Sequence, residues 1–318
     1  MVEKKKKSAG DIFADLSMPI LLVLLVVVFS IMSKNFLTPL NITNILVQNV
    51  HVVIVATAVM IIMISGGCDL SIGYQMSVAA VLVTKMPSVY NVPVFIAVIA
   101  GIALCSLLGT FTGIMAIKLK SNTMIVTLAT MSVFQGISYL ISESKTYHNL
   151  PNSFMYIGQG RIGGWLPINV VIMVVLILIV GFVMGCTGIG RKVYAAGDSP
   201  EAARLAGLPV AKIKVLSFTC AGILVGIAAV LLASRSGSAD SGTGVGIEFT
   251  GITACVLSGV ALKGGEGTLW KVIVAAFVLG VLSNGMQLIN LGTYPQYIAK
   301  GVIMLLSLYL TNRNAQGM

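Results

Sequence analysis

The sequence predicts an all-α, polytopic membrane protein, and three observations predict it. First, 57% of the 318 residues are hydrophobic and only 9% are charged, against about 25% charged in an ordinary soluble domain. Second, the mean hydropathy is +0.99. So few charges cannot coat a folded body in water, and so many apolar side chains cannot hide in one core; lipid solvates the excess. A water-soluble globular protein and a disordered chain are both excluded. Third, apolar runs of membrane-crossing length recur along the whole chain. A crossing needs about 20 residues, because the hydrocarbon core is roughly 30 Å thick and a helix rises about 1.5 Å per residue.

The first run, about 17–33, follows a basic segment, 1–16, that carries Lys4 to Lys7. It ends in Ser33-Lys34-Asn35 without a small-x-small cleavage site, so it reads as an uncleaved membrane helix. Further runs follow at about 43–65, 70–86, 93–117, 121–142, 165–186, 212–234, 247–262, 267–289 and 295–311, which makes ten. The third and eighth are short and carry glycine or polar residues at one end, so broken or re-entrant crossings are expected there. A single membrane domain is expected over 17–312, followed by a short tail, 313–318.

Ten crossings put both termini on one side. The net charge of +10 comes from 20 Lys and Arg against 10 Asp and Glu. With the N-terminus inside, 14 of the basic residues fall in inner segments and 6 in outer ones. That bias is the one that orients membrane proteins, so both termini are expected to be cytoplasmic. It also accounts for the charge without a nucleic-acid partner. The five cysteines, Cys68, Cys105, Cys186, Cys220 and Cys255, lie mostly inside apolar runs without CxxC or Cys/His spacing. They are expected to be small buried hydrophobes, with neither disulfides nor a metal site.

Two connections are long. Residues 143–164, outside, contain Gly158-x-Gly160-x-x-Gly163, which matches a dinucleotide fingerprint by letters but follows no strand and precedes no acidic partner. Residues 187–211, inside, contain Asp198-Ser199-Pro200-Glu201. Asp198 suits an N-cap, Pro200 the first turn, and Glu201 the positive end of the helix dipole. Gly207 stops the helix and Pro209 prevents its restart. The spacing predicts a helix of about two turns over about 198–208, presenting Arg204 and Leu205 outside the bilayer. So short a helix is unstable alone and requires a surface to dock on; a plain capped connector is the alternative.

Ionisable side chains are scarce in the runs. His51 sits a third of the way into the second, while Asp69, Asp240, Glu248, Glu266 and Lys300 lie near ends. A proton- or sodium-coupled carrier normally shows a buried carboxylate or relay. No phosphate-binding G-x-x-x-x-G-K-[ST] loop, HExxH or Ser/His/Asp arrangement occurs, so no catalytic residue, and no ATP hydrolysis by this chain, is expected. Uncharged hydrogen-bonding groups are plentiful instead. Asn49, Gln75 and Gln135 lie in the second, third and fifth runs, with Asp69 at the glycine break before the third. In the ninth, Ser283, Gln287 and Asn290 share one helical face, with Asn284 at its border. Such groups either bond helix to helix or line a path for a neutral, polyhydroxylated solute.

Ser65-Gly66-Gly67-Cys68-Asp69-Leu70-Ser71-Ile72-Gly73 closely resembles the GGIDLSVG signature of permease subunits of bacterial ribose-type, or simple-sugar, ABC importers. The stretch from Gly190-Arg191-Lys192 through Tyr194-Ala195, Gly197 and Ala202-Ala203 to Gly207-Leu208 is similar to a second segment of that family. A third match runs through Gly242-Thr243-Gly244, Leu257-Ser258-Gly259 and Lys263-Gly264-Gly265-Glu266-Gly267-Thr268 to Leu282-Ser283-Asn284-Gly285-Met286. The matches fall in order over about 35–312. Cys68 stands where the family has an aliphatic residue, and Gly246-Ile247-Glu248-Phe249 is looser than its YELDAIAA segment.

The resemblance implies a permease subunit of a binding-protein-dependent ABC importer, carrying a small neutral solute such as ribose or a related monosaccharide across the bacterial cytoplasmic (inner) membrane. It implies a second permease copy or homologue, two ATPase subunits that hold ATP and Mg on the cytoplasmic face, and an extracytoplasmic solute-binding protein. Asp198, Glu201, Ala202, Arg204, Leu205, Gly207 and Leu208 then form the coupling helix that docks on the ATPase. Asn49, Asp69, Gln75, Gln135, Asn284, Gln287 and Asn290 are the expected path or gate residues, with Asp69 either capping the third run or forming part of an inner gate. The chain itself needs no cofactor. The alternative is a secondary carrier that works without an ATPase.

Overall fold

The computed structural model describes residues 9–316; Lys4 to Lys7 and the last two residues lie outside the described residues. In chain order the elements are α1 (Ala9–Met32), α2 (Pro39–Ile64), α3 (Ile72–Val89), α4 (Val94–Lys118), α5 (Thr123–Ser142), α6 (Asn152–Gln159), β1 (Arg161–Ile162), β2 (Leu166–Pro167), α7 (Ile168–Cys186), α8 (Gly188–Asp198), α9 (Pro200–Leu205), α10 (Val210–Ser236), α11 (Ile247–Leu257), α12 (Leu269–Leu288) and α13 (Thr293–Gln316). The two strands form only an antiparallel clip, so the fold is all-helical in substance. Among the described residues, six helices, α2, α4, α5, α7, α10 and α12, are long and apolar enough to cross a membrane; Met18–Met32 and Ile247–Leu257 are shorter apolar helices.

α2 and α10 form the inner pair. Along α2, every residue from Val53 to Ile64 is buried, and α10 buries most of the stretch from Ala221 to Ser234. Helices apolar on all sides belong in the centre of a bundle or against lipid. α4 lies against α10 through Gly109, Gly113, Gly222 and Gly226. A Cβ at Gly222 would come within 2.6 Å of the Cys105 carbonyl oxygen, so small residues set how closely these backbones approach. α3 sits between α4, α5 and α10, while α11 rests on α2, α12 and α13. α1 covers the far side of α12, where Phe29, Phe36, Val281 and Met286 form a separate small core.

The third and eighth apolar runs of the sequence form α3 and α11, and both helices follow irregular backbone. α3 starts only after the irregular stretch Ser65 to Ser71, with Gly66 at φ +79°. α11 has 11 residues and is preceded by turns from Ser241 to Gly246. Ser77 Oγ accepts the Gly244 amide (2.9 Å) and Ser138 Oγ donates to the Ser241 carbonyl (3.1 Å), which holds this non-helical backbone inside the protein. Buried irregular backbone requires internal partners of this kind.

Two sequence expectations are corrected. The inner connection is not one helix of two turns but two helices, α8 and α9, joined at Ser199. Asp198 ends α8, and Ser199 caps α9 by accepting the Ala202 amide (3.3 Å); a hydroxyl one residue later replaces the expected carboxylate. Among the cysteines, Cys68, Cys105 and Cys255 are buried, but Cys186 is exposed and Cys220 half-buried. The dinucleotide-like glycines have a structural role: the Gly158 amide donates to Ser234 Oγ (2.7 Å) and ties α6 to α10.

Candidate functional site

A polar cleft of about 290 Å³ opens between α2, α10, α11, α12 and α13. α2 contributes Gln48, Asn49, His51 and Val52. α12 contributes Leu279, Gly280, Ser283 and Gln287, at spacings that keep them on one face. Arg235 comes from the last turn of α10, Thr250 from α11, and Gln296 and Lys300 from α13. Among the described residues the lining therefore holds amides, hydroxyls and three basic side chains, and no carboxylate. Asn49 donates to the Ile45 carbonyl (2.7 Å), and its amide lies against Gly280, where no Cβ would fit. Ser283 Oγ has no protein partner among the described residues. Such a surface can bond hydroxyl groups both as donor and as acceptor.

Of the expected path residues, the structure brings Asn49 and Gln287 to this cleft and sends the others elsewhere. Gly280 and Ser283 of α12 face the cleft, whereas Asn284 turns away from it toward Asn41. Asn284 and Asn41 exchange amide hydrogen bonds, 3.0 Å in each direction, and Asn41 also donates to the Phe36 carbonyl (2.8 Å). Both amides are buried, Asn41 at 6% and Asn284 at 5% exposure, so this pair clamps α12 to the start of α2. Asn290 is exposed in the turn that ends α12, at φ +61°. Gln135 is half-buried on α5, outside the cleft lining.

Asp69 and Gln75 belong to a second cluster. Asp69 Oδ1 accepts the Ser71 amide (2.8 Å) and hydroxyl, and Oδ2 accepts Gln75 Nε2 (2.9 Å). The carboxylate therefore ties the bend before α3 to Gln75 in the helix, while the helix cap itself is Ser71, which makes no side-chain cap bond. Glu248, at 1% exposure, stands at the start of α11. Its Oε1 accepts the Gly246 amide (3.2 Å), and its Oε2 lies against Gly73 without a protein partner among the described residues.

The third feature is α9. Pro200 opens it, Gly207 closes it at φ +80°, and the Leu208 amide returns to the Ala203 carbonyl (3.0 Å). This is the helix stop that the sequence predicts. Ala203 is buried, whereas Asp198, Glu201, Ala202, Arg204 and Gly207 are exposed, and Leu208 is half-buried. Leu205 is 87% exposed. The base of α9 is firmly held. Gly197 lies directly on the Ile64 carbonyl at the end of α2, the Gly265 amide donates to that same carbonyl (2.9 Å), and Tyr194 donates to the Gly267 carbonyl (2.8 Å). Three segments distant in sequence thus meet at one knot, with α9 projecting from it.

Sequence reasoning misses Arg235 and Lys300 as cleft residues, and it misses α8. The signal for α8 is Thr187, whose hydroxyl accepts the Ile189 amide (3.2 Å) as an N-cap.

An all-helical bundle with six helices of crossing length, a polar cleft within it and a small exposed helix held at a helix junction define a multi-pass membrane transport protein. The chain belongs to the family described as branched-chain amino acid transport system / permease component, whose pattern it matches over residues 41–308. It is 34% identical over 302 residues to the L-arabinose transport system permease protein AraH of Escherichia coli, covering 95% of this chain and 92% of that protein. It is 31% identical over 296 residues to the ribose import permease protein RbsC of Bacillus subtilis, covering 92% and 91%. A third relative, the L-arabinose ABC transporter permease protein AraH of Azospirillum brasilense, is 33% identical over 311 residues, covering 95% and 89%. No solved structure matches the chain.

Proposed function

We propose that the chain is the membrane-spanning permease subunit of a binding-protein-dependent ABC importer for a monosaccharide of the ribose or arabinose type. It crosses the bacterial cytoplasmic membrane ten times within one domain, 17–312, with both termini inside. It pairs with a second permease copy or homologue, receives solute from an extracytoplasmic binding protein, and is driven by ATPase subunits that hold ATP and Mg. Asn49 and Gln287 contact the solute's hydroxyl groups in the cleft.

One observation carries the coupling assignment: Leu205 is almost fully exposed on a helix whose base is fixed to the end of α2 and to the loop before α12. An exposed leucine beside Glu201 and Arg204 suits a groove on a partner subunit, with an apolar centre and a charged rim. Movement of that partner reaches the bundle through the knot at Gly197, biasing it between two arrangements.

The test is reconstitution of the permease with its ATPase and binding protein in vesicles, followed by uptake of labelled ribose and arabinose. Uptake that requires ATP and all three components is expected. Uptake that persists without the ATPase and follows a proton gradient would establish a secondary carrier instead.

A further inference from the structure

A second concavity shares no lining residue with the polar cleft. It is a groove of about 250 Å³ between α7 and α10, floored by α2 and closed at one end by α8. Val180 and Val183 of α7, Ile189 of α8, and Leu216, Cys220 and Ile223 of α10 form its walls, and no charged side chain among the described residues enters it. A shallower depression of about 330 Å³ continues it along α10 past Leu216 to Lys212. Beside Ile189 on α8, Arg191 and Lys192 are exposed. α7 ends where α8 begins, and Lys212 lies in the first turn of α10. Lys212 thus lines the shallower hollow, and Arg191 and Lys192 follow the trough residue Ile189 along α8.

We propose that this trough is a binding site for an anionic phospholipid. One acyl chain lies along the groove, and the phosphate is held by Arg191, Lys192 and Lys212. The walls offer an acyl chain apolar contact and ask for almost no hydrogen bonds. Three basic groups, with no acid among the described residues lining either hollow, complement a negative headgroup, as juxtamembrane basic clusters do. Leu178, Ile179 and Phe182 on the same α7 are exposed apolar side chains, as a lipid-facing helix requires. Because α8 is joined to α9 at Ser199, an occupied site steadies the element that carries Leu205, and transport driven through α9 depends on the lipid.

The test is made on the purified full-length chain in detergent, without ATPase or solute, so its outcome is separate from the importer assignment. Retention of phosphatidylglycerol and phosphatidylcholine with equal acyl chains is compared by native mass spectrometry. Wild-type protein is expected to retain phosphatidylglycerol roughly tenfold better. The double variant Lys192→Gln/Lys212→Gln should bring both lipids to the same level, and Leu216→Trp, which fills the trough, should release both. Equal retention of the two lipids by the wild type would overturn the proposal, as would charge variants without effect. In a Cys186→Ser background, disulfide-linked dimers formed through Cys220 on mild oxidation would also overturn it, because a second copy would then cover the groove.

Discussion

Gly197 of α8 rests directly on the carbonyl of Ile64 at the end of α2, with no space for a Cβ between them. This contact joins the base of the exposed helix α9 to α2, one of the inner pair of helices. An added methyl group must push one backbone from the other, at about 1–3 kcal/mol for overpacking. Gly197→Ala is therefore expected to lower the melting temperature of the purified protein and its ATP-driven uptake together. Gly207→Ala meets no atom within 4 Å and bears only the strain of its positive φ, about 1 kcal/mol. A melt in which Gly197→Ala matched the wild type would remove the knot from the coupling route.

The side chains of Arg204 and Leu205 are exposed and make no hydrogen bond or ion pair among the described residues. Arg204→Glu and Leu205→Asp are expected to leave melting unchanged and to reduce ATP-driven uptake by about tenfold or more, as loss of an interface anchor does. Co-purification of the ATPase should fall in parallel. Full uptake in both variants would refute docking through α9.

Asn284 and Gln287 lie three residues apart on α12 but have different surroundings. Asn284→Leu leaves the buried Asn41 Oδ1 without its donor, at about 1–3 kcal/mol for an unsatisfied buried group, so the loss is expected in thermal stability and assembly. Gln287→Leu leaves every described internal hydrogen bond in place and is expected to lower uptake with little effect on melting. If the two effects were exchanged, the cleft would not be the solute path.

The loop after α5 carries an ion cluster. Lys85 Nζ lies 2.7 Å from Glu143 Oε1, and Lys145 Nζ 2.9 Å from Oε2. The Lys85 ammonium first, and Lys145 second, hold the Glu143 carboxyl well below its ordinary range, at about 2. A carboxyl depressed on folding adds stability that is complete above its unfolded pKa and lost as pH falls through its folded one. The contribution is thus present above about pH 4.5 and declines toward pH 2. Exposure and salt keep it small. The difference in melting temperature between wild type and Glu143→Gln should shrink as pH falls from 5 to 3; a difference that stays constant would contradict the cluster.

The α2, α4, α7 and α10 segments are legible in the sequence because lipid acts on local composition: a run of apolar residues of sufficient length has the same meaning wherever its neighbours are. The end of α9 is legible too, since Gly207 and Pro209 act within a single turn. Asp198 is one residue from the true cap because Asp198 and Ser199 both suit the position, and the α8 backbone decides between them. α8 itself is hidden in the connection, being short and only half apolar.

The chain's composition and local patterning dictate the class of solvent around this protein, its helical character, and the small helix with Arg204 and Leu205 at its surface. Which polar groups meet is settled only in the folded bundle. His51, Arg235 and Lys300 are separated by long stretches of chain and share a cleft only because α2, α10 and α13 converge there. Asn284 is drawn out of that cleft by Asn41, 243 residues away. Hydrophobic length is a property of a segment, whereas the direction in which a polar side chain points is set by helix rotation and packing, which depend on every neighbouring helix at once.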